Sequence, residues 1–172
     1  RDFEFDAFDF RDIRVRDVRL VSADSVRKLS DKLRRIPAGP HRVTLMREEL
    51  HARLEARLAQ MAGTDETLDA LSTLSLDEQL RIFHEAIAPA DEQEERALAL
   101  RYLRDRYADA FAAVDNDDWL RIDRIGMRLL NADGLSPLEW LYLKMALTGL
   151  GNPDAKYVMI DEVQAYTAAQ LA

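Results

Sequence analysis

Apolar residues recur at steps of three and four along most of this chain, and at steps of two only near its beginning. Phe3 and Phe5, then Phe8 and Phe10, then Ile13, Val15, Val18 and Leu20 alternate with acids and arginines. That alternation predicts two or three short strands in a ribbon with one wet face, with bulges or turns at Asp6-Ala7 and Asp17. Val26, Leu29, Leu33 and Ile36 then line one face of a helix capped by Ser22 or Asp24. Pro37-Ala38-Gly39-Pro40 ends it, because glycine and two prolines do not sit in a helix interior. A longer helix carries Val43, Met46, Leu50, Leu54, Leu58 and Met61 and stops at Gly63.

Short acidic helices come next. One runs from Thr64 to Thr73. Another opens on the capping box Ser75-Leu76-Asp77-Glu78 and continues through Leu80, Phe83 and Ile87 to Pro89. Asp91 to about Val114 predicts a long helix, and Asp117 or Asp118 caps another bearing Trp119, Leu120, Ile122, Ile125, Met127 and Leu129. No repeat of fixed period is present.

The last third changes character. Ser136-Pro137-Leu138-Glu139 combines a capping box with proline at the first helical position. Trp140, Leu141, Leu143, Met145, Ala146 and Leu147 make that helix apolar on more than one side, which predicts burial between layers. Gly149 and Gly151 close it, and Asn152-Pro153-Asp154 turns the chain. Tyr157-Val158-Met159-Ile160 then runs into Asp161-Glu162, followed by Val163-Gln164. Four apolar residues leading into two acids read as a buried parallel strand whose carboxyl end opens on a ligand crevice. The plainer alternative is a strand-to-loop transition at the surface.

Composition narrows the classes. The chain has no cysteine, so disulfides and thiolate metal sites are excluded and a reducing cytoplasm is expected. No apolar run approaches the roughly 18 residues of a membrane helix, so no membrane is expected among its partners. Arg1 at the start and Gln170-Leu171-Ala172 just after a site-like motif read as a piece cut from a longer protein. Net charge is −8, unevenly spread: residues 11–58 carry 13 cations against 7 acids, residues 64–118 carry 5 against 15. The acidic total argues against a stand-alone nucleic-acid binder.

Arg27, Lys28, Lys32, Arg34, Arg35, Arg53 and Arg57 are candidates for a surface facing a nucleic-acid backbone or an acidic partner. Glu48, Glu49 and Glu55 interleave with the later ones, as on an ordinary solvated helix. The three histidines, His41, His51 and His84, lack the spacing of metal ligands. Gly149 to Lys156 is not a phosphate loop: the Gly-Lys-Ser/Thr ending is missing, Pro153 removes an amide donor, and the segment precedes its strand.

The string Tyr157 to Gln164, with Tyr166, Thr167, Gln170 and Leu171 after it, resembles motif II (Walker B) of superfamily 1 helicases, nearest to UvrD-like proteins of the HelD type. Ser136 to Lys144 resembles the helix leading to that motif, and Val18 to Leu58 more loosely resembles the insertion before it. The apolar pattern predicts a fold that is mainly α (α+β), a multi-helix body with a short N-terminal β-ribbon, and the resemblance implies that the C-terminal strand comes from a P-loop-type α/β ATPase core. Residues 1–21 would be the strands, 22–132 a helical inserted domain, and 133–172 a fragment of the ATPase core. It implies that Asp161 holds Mg²⁺, that Glu162 activates the hydrolytic water, and that Gln164 senses the γ-phosphate of ATP. It further implies that the intact protein acts on DNA or RNA polymerase, and that these residues alone, without a phosphate loop, are inactive. Ala165 departs from the family, where an aspartate follows the glutamine. The competing expectation is a non-enzymatic α-helical protein-interaction module.

Overall fold

The computed structural model describes residues 3–149. They are mainly helical, with one short antiparallel hairpin near the beginning. The hairpin is β1 (Ile13–Val15) and β2 (Val18–Val21). The helices are α1 (Ala23–Lys32), α2 (Pro40–Met61), α3 (Asp65–Ser72), α4 (Leu76–Phe83), α5 (Glu92–Arg106), α6 (Ala108–Asp115), α7 (Ile122–Leu130) and α8 (Pro137–Thr148). No helix among the described residues is long and apolar enough to cross a membrane.

Two compact units emerge. Among the described residues, one contains 3–12, 22–48 and 117–149, and the other 13–21 and 49–116. The α2 helix contributes to both, and its stripe is the best-buried feature of the chain. Val43 and Met46 in the first unit, and Leu50, Leu54 and Leu58 in the second, are wholly buried. At roughly 1.5–3 kcal/mol per large apolar side chain, such a stripe outweighs helix propensity in holding α2 in place.

In the first unit the N-terminal segment departs from the strand expectation before Phe10. Phe8 N donates to Asp6 Oδ1 (2.8 Å), and Asp6 N donates to Asp9 Oδ2 (2.8 Å), so Asp6 to Asp9 forms a tight turn. The alternating phenylalanines serve a cluster instead of a ladder. Phe3 meets Phe5 edge-on at 5.3 Å, Phe5 lies 5.8 Å from Phe10, and Arg42 sits 5.4 Å over Phe5. Only Phe10 makes a strand-like bridge, to Leu120, flanked by Arg11 N to Trp119 O (2.8 Å) and Arg121 N to Asp9 O (2.7 Å).

α1 is capped by Ser22, whose hydroxyl accepts from Ser25 N at 3.1 Å. α8 begins with the expected capping box. Ser136 N donates to Glu139 Oε2 at 2.8 Å, and Ser136 Oγ accepts from Glu139 N at 3.3 Å. The Ser136 amide first, and its hydroxyl second, hold the Glu139 carboxyl below its ordinary range. Gly149 ends α8 with φ 68, a conformation that favours glycine, and an added Cβ would stand 3.0 Å from Pro40 Cβ at the start of α2.

α7 and α8 pack through Gly126, where an added Cβ would fall 2.6 Å from Leu143 Cδ1 and closer still to Leu135 Cδ1. Alanine there gains roughly 1 kcal/mol of helix propensity but costs about 1–3 kcal/mol in overpacking. Gly126→Ala is therefore expected to destabilise by about 1 kcal/mol in a urea titration. A stabilised variant would show that both leucines move aside freely.

In the second unit the hairpin pairs Arg14 with Arg19 and Val15 with Val18, with an irregularity between Ile13 and Arg14. Ile13, Val15, Leu20 and Val21 are buried, and β1 packs on α6. α3 is capped by Thr64, and α4 by the Ser75–Glu78 box. α4 stops at Phe83, short of Pro89, because His84 turns left-handed (φ 65) and Ile87 N bonds to Gln79 Oε1 at 3.0 Å. The expected long helix from Asp91 to Val114 is two, broken at Tyr107, whose side chain is buried.

Candidate functional site

The acids that carry the functional expectation, Asp161, Glu162 and Gln164, lie outside the described residues. What the structure does define is the helix that leads to them. Against the expected burial between layers, α8 presents Leu138, Leu141, Tyr142 and Met145 to solvent, each more than a third exposed, at helical steps of three, one and three, and buries only Leu147 and Thr148. Leu129 and Leu130 at the end of α7 are also exposed, in the same unit. Single exposed apolar residues are ordinary, but an exposed stripe at helical spacing marks a face that is built to be covered.

The seven cations proposed as one basic surface divide between the units. Arg27, Lys28, Lys32, Arg34 and Arg35 belong to the first, and Arg53 and Arg57 to the second. In α1 the charges are already matched. Arg27 spans Asp24 (2.7 Å) and Asp31 (2.9 Å), Lys28 meets Asp24 (2.8 Å), and Arg34 reaches Asp31 (3.3 Å). The Lys28 ammonium first, then the Arg27 guanidinium, hold the Asp24 carboxyl below its usual range. Lys32 and Arg35 are exposed. Arg53 pairs with Glu49 at 3.1 Å, one turn away. Helix-surface pairs of this kind contribute only about 0.3–0.5 kcal/mol each and describe a solvated face.

The charges that matter to the fold are elsewhere, and sequence reasoning missed their roles. Arg42 is almost wholly buried, its guanidinium donating to Ser30 O (2.6 Å), Ser30 Oγ (2.7 Å) and Glu4 Oε1 (2.7 Å). Arg128 clasps the buried Asp9, with Asp6 3.3 Å from its Nε. Arg47 holds the buried Asp117 with two bonds, Nε to Oδ1 at 3.0 Å and Nη2 to Oδ2 at 2.7 Å. Burial pushes the carboxyls of Asp9 and Asp117 above their ordinary value. For Asp9 the Asp6 amide and then Arg128 pull back, and for Asp117 Arg47 does. Asp117 also adopts φ 56, so it serves as a buried turn residue and not as the cap of α7. The one available signal for such pairs is an arginine in register with a buried helix stripe: Arg42 and Arg47 each adjoin a fully buried position of α2.

Among the described residues no group of three or more histidines and acids is placed to hold a metal ion. His51 Nε2 lies 2.6 Å from Asp115 Oδ1, and its ring stacks obliquely on Phe111 at 5.7 Å. No protein-family model matches the chain, and no curated protein or solved structure matches it either.

Proposed function

We propose that this chain is an internal part of an ATP-dependent, superfamily 1 helicase-like protein of the HelD type, supplying the motif II acids and a helical insertion. The observation that carries the reading is the run Tyr157-Val158-Met159-Ile160-Asp161-Glu162-Val163-Gln164, which follows α8 in the sequence after residues 149–156. A capped helix and a glycine stop, followed in sequence by the turn-forming Asn152-Pro153-Asp154 and an apolar run with terminal acids, is the grammar of an α/β nucleotide site. The uncovered stripe Leu138, Leu141, Tyr142 and Met145 supports it, because the remainder of such an ATPase domain would supply the missing layer.

In this reading Asp161 offers a carboxylate oxygen, the donor that Mg²⁺ prefers. Bound Mg²⁺ would neutralise charge on the ATP phosphates. Glu162 orients the attacking water and takes its proton, and Gln164 senses the terminal phosphate and relays its loss. Ala165 removes a carboxylate from the relay side of the site and leaves the two acids intact. DNA or RNA polymerase is the proposed partner of the intact protein, and the cytoplasm its proposed location.

The 172 residues contain no Gly-Lys-Ser/Thr phosphate loop, so the chain by itself is expected to hydrolyse nothing. ATP and Mg²⁺ added to it should give no phosphate release above that of its Glu162→Gln variant. Robust release that this substitution abolishes would show that these residues hold a complete site. A second reading, a non-enzymatic helical interaction module, draws on the same exposed α8 stripe with a foreign partner in place of the ATPase core. It predicts that Asp161 and Glu162 can be replaced without effect.

A further inference from the structure

In the first unit the turn Asp6 to Asp9 is tied down on both sides. Before it, Glu4 Oε1 accepts from the buried Arg42 (2.7 Å), whose guanidinium also lies over the Phe5 ring. After it, Phe10 bridges to Leu120, and Arg121 N donates to Asp9 O (2.7 Å). Between these anchors α7 holds the turn through two arginines. Arg124 lies over the Phe8 ring at 4.9 Å, and Arg128 meets both Asp6 and Asp9. One guanidinium therefore answers two carboxylates. The Asp6 side chain is more than a third exposed, while Asp9 is wholly enclosed.

Asp9 Oδ2 accepts from the Asp6 amide (2.8 Å) and from Arg128, but Asp9 Oδ1 is buried with no hydrogen-bond partner among the described residues. Asp117, equally buried, has both oxygens bonded to Arg47. An enclosed carboxylate with an idle acceptor and a competing acid beside it is costly, and a proton relieves that cost. Burial is the main force raising the Asp9 carboxyl above its ordinary 3.8, the Asp6 amide and Arg128 oppose it, and the Asp6 charge adds to the rise. The charged groups facing Asp9 are thus Asp6 from its own turn and Arg128 from α7, while Arg121 meets it through a backbone amide.

We propose that the Asp6–Asp9 turn is a pH-sensitive strap on α7, drawn tight when Asp9 takes up a proton and loosened when it gives that proton up. With Asp9 neutral, Arg128 is left in a one-to-one pair with Asp6. With Asp9 ionised, swinging the turn into water relieves the enclosed charge and uncovers the guanidiniums of Arg124 and Arg128. The open turn leaves Asp9 near 3.8, and the closed turn holds its proton to higher pH. Acid therefore closes the strap, and a rise in pH through the closed-state value loosens it. Each unit between the two values changes the closed-to-open ratio by about tenfold. No motif II residue takes part, so the strap stands or falls apart from the ATPase reading.

The test is an NMR titration of the side-chain carboxyl carbons in the 172-residue chain, with amide-exchange protection factors at pH 5 and 7. The Asp9 midpoint is expected above 3.8, and the Asp6 and Phe8 amides are expected to be better protected at pH 5 than at pH 7. Amides of α4, in the other unit, should show no such change. Asp9→Asn, a neutral side chain of the same shape, should keep the turn equally protected at both pH values. Asp6→Asn should lower the Asp9 midpoint. An Asp9 midpoint at or below 3.8, protection that is equal at both pH values or weaker in acid, or an Asp9→Asn variant that keeps the wild-type pH dependence would each overturn the proposal. The wild-type titration alone decides it if either variant fails to fold.

Discussion

Replacing Arg47 with methionine is expected to remove about 3 kcal/mol of stability at pH 7, the cost of leaving a buried carboxylate without its partner. The Asp117 side chain is fully enclosed while that of Arg47 is 19% exposed, so desolvation falls mostly on the acid. The two bonds from Arg47 favour its ionised form and oppose the upward push of burial. Without them the folded Asp117 carboxyl rises further above its ordinary value of 3.8. A group whose folded pKa is raised favours the folded state most at low pH, and that contribution is lost as pH rises through the folded value. The penalty of Arg47→Met should therefore be small near pH 4 and grow toward neutrality. Urea titrations at pH 4.5 and 7 read this directly. Equal penalties at both would show that lost packing, and not the stranded charge, sets the cost. Asp117→Asn should be milder, since an amide accepts one of the two bonds and asparagine tolerates φ 56.

That pair also marks the boundary of what the amino-acid pattern discloses. The α2 stripe, the capping boxes at Ser75 and Ser136 and the Gly149 stop are local signals with local causes, and each stands where expected. The departures are tertiary. Phe3 and Phe5, and after a slip Phe8 and Phe10, alternate as strands would, yet Arg42, Arg124 and Arg128 from distant helices draw Phe5, Phe8 and Phe3 into stacked contacts. Period two reports alternate facing and does not distinguish a ladder from a clasp. Nothing near Tyr107 announces a break between α5 and α6, because its ring is fixed by burial and not by a breaker residue. Ile87 falls in step with α4 but sits in a loop held by Gln79.

The candidate chemistry was legible in a different way. The α1 cations were visible as a cluster, and so were the acids at i+3 and i+4 that neutralise them. Spacing alone favours the solvated reading that the structure supports. The motif II residues rest on sequence and lie outside the described residues.

If the proposed ATPase reading holds, Glu162→Gln in the intact ATPase is expected to lower ATP turnover by about 10²–10⁴-fold, the usual contribution of a positioned general base. Glutamine keeps the shape of the side chain and a hydrogen bond to the water but cannot take the proton. Nucleotide affinity should persist, because Asp161, and not Glu162, is the proposed Mg²⁺ ligand. Asp161→Ala should instead weaken Mg²⁺-dependent nucleotide binding. The most direct measurement is steady-state phosphate release by the full-length protein, wild type against Glu162→Gln, with nucleotide binding followed in parallel. The ATPase account predicts turnover lost with binding retained. Turnover unchanged by Glu162→Gln would contradict it.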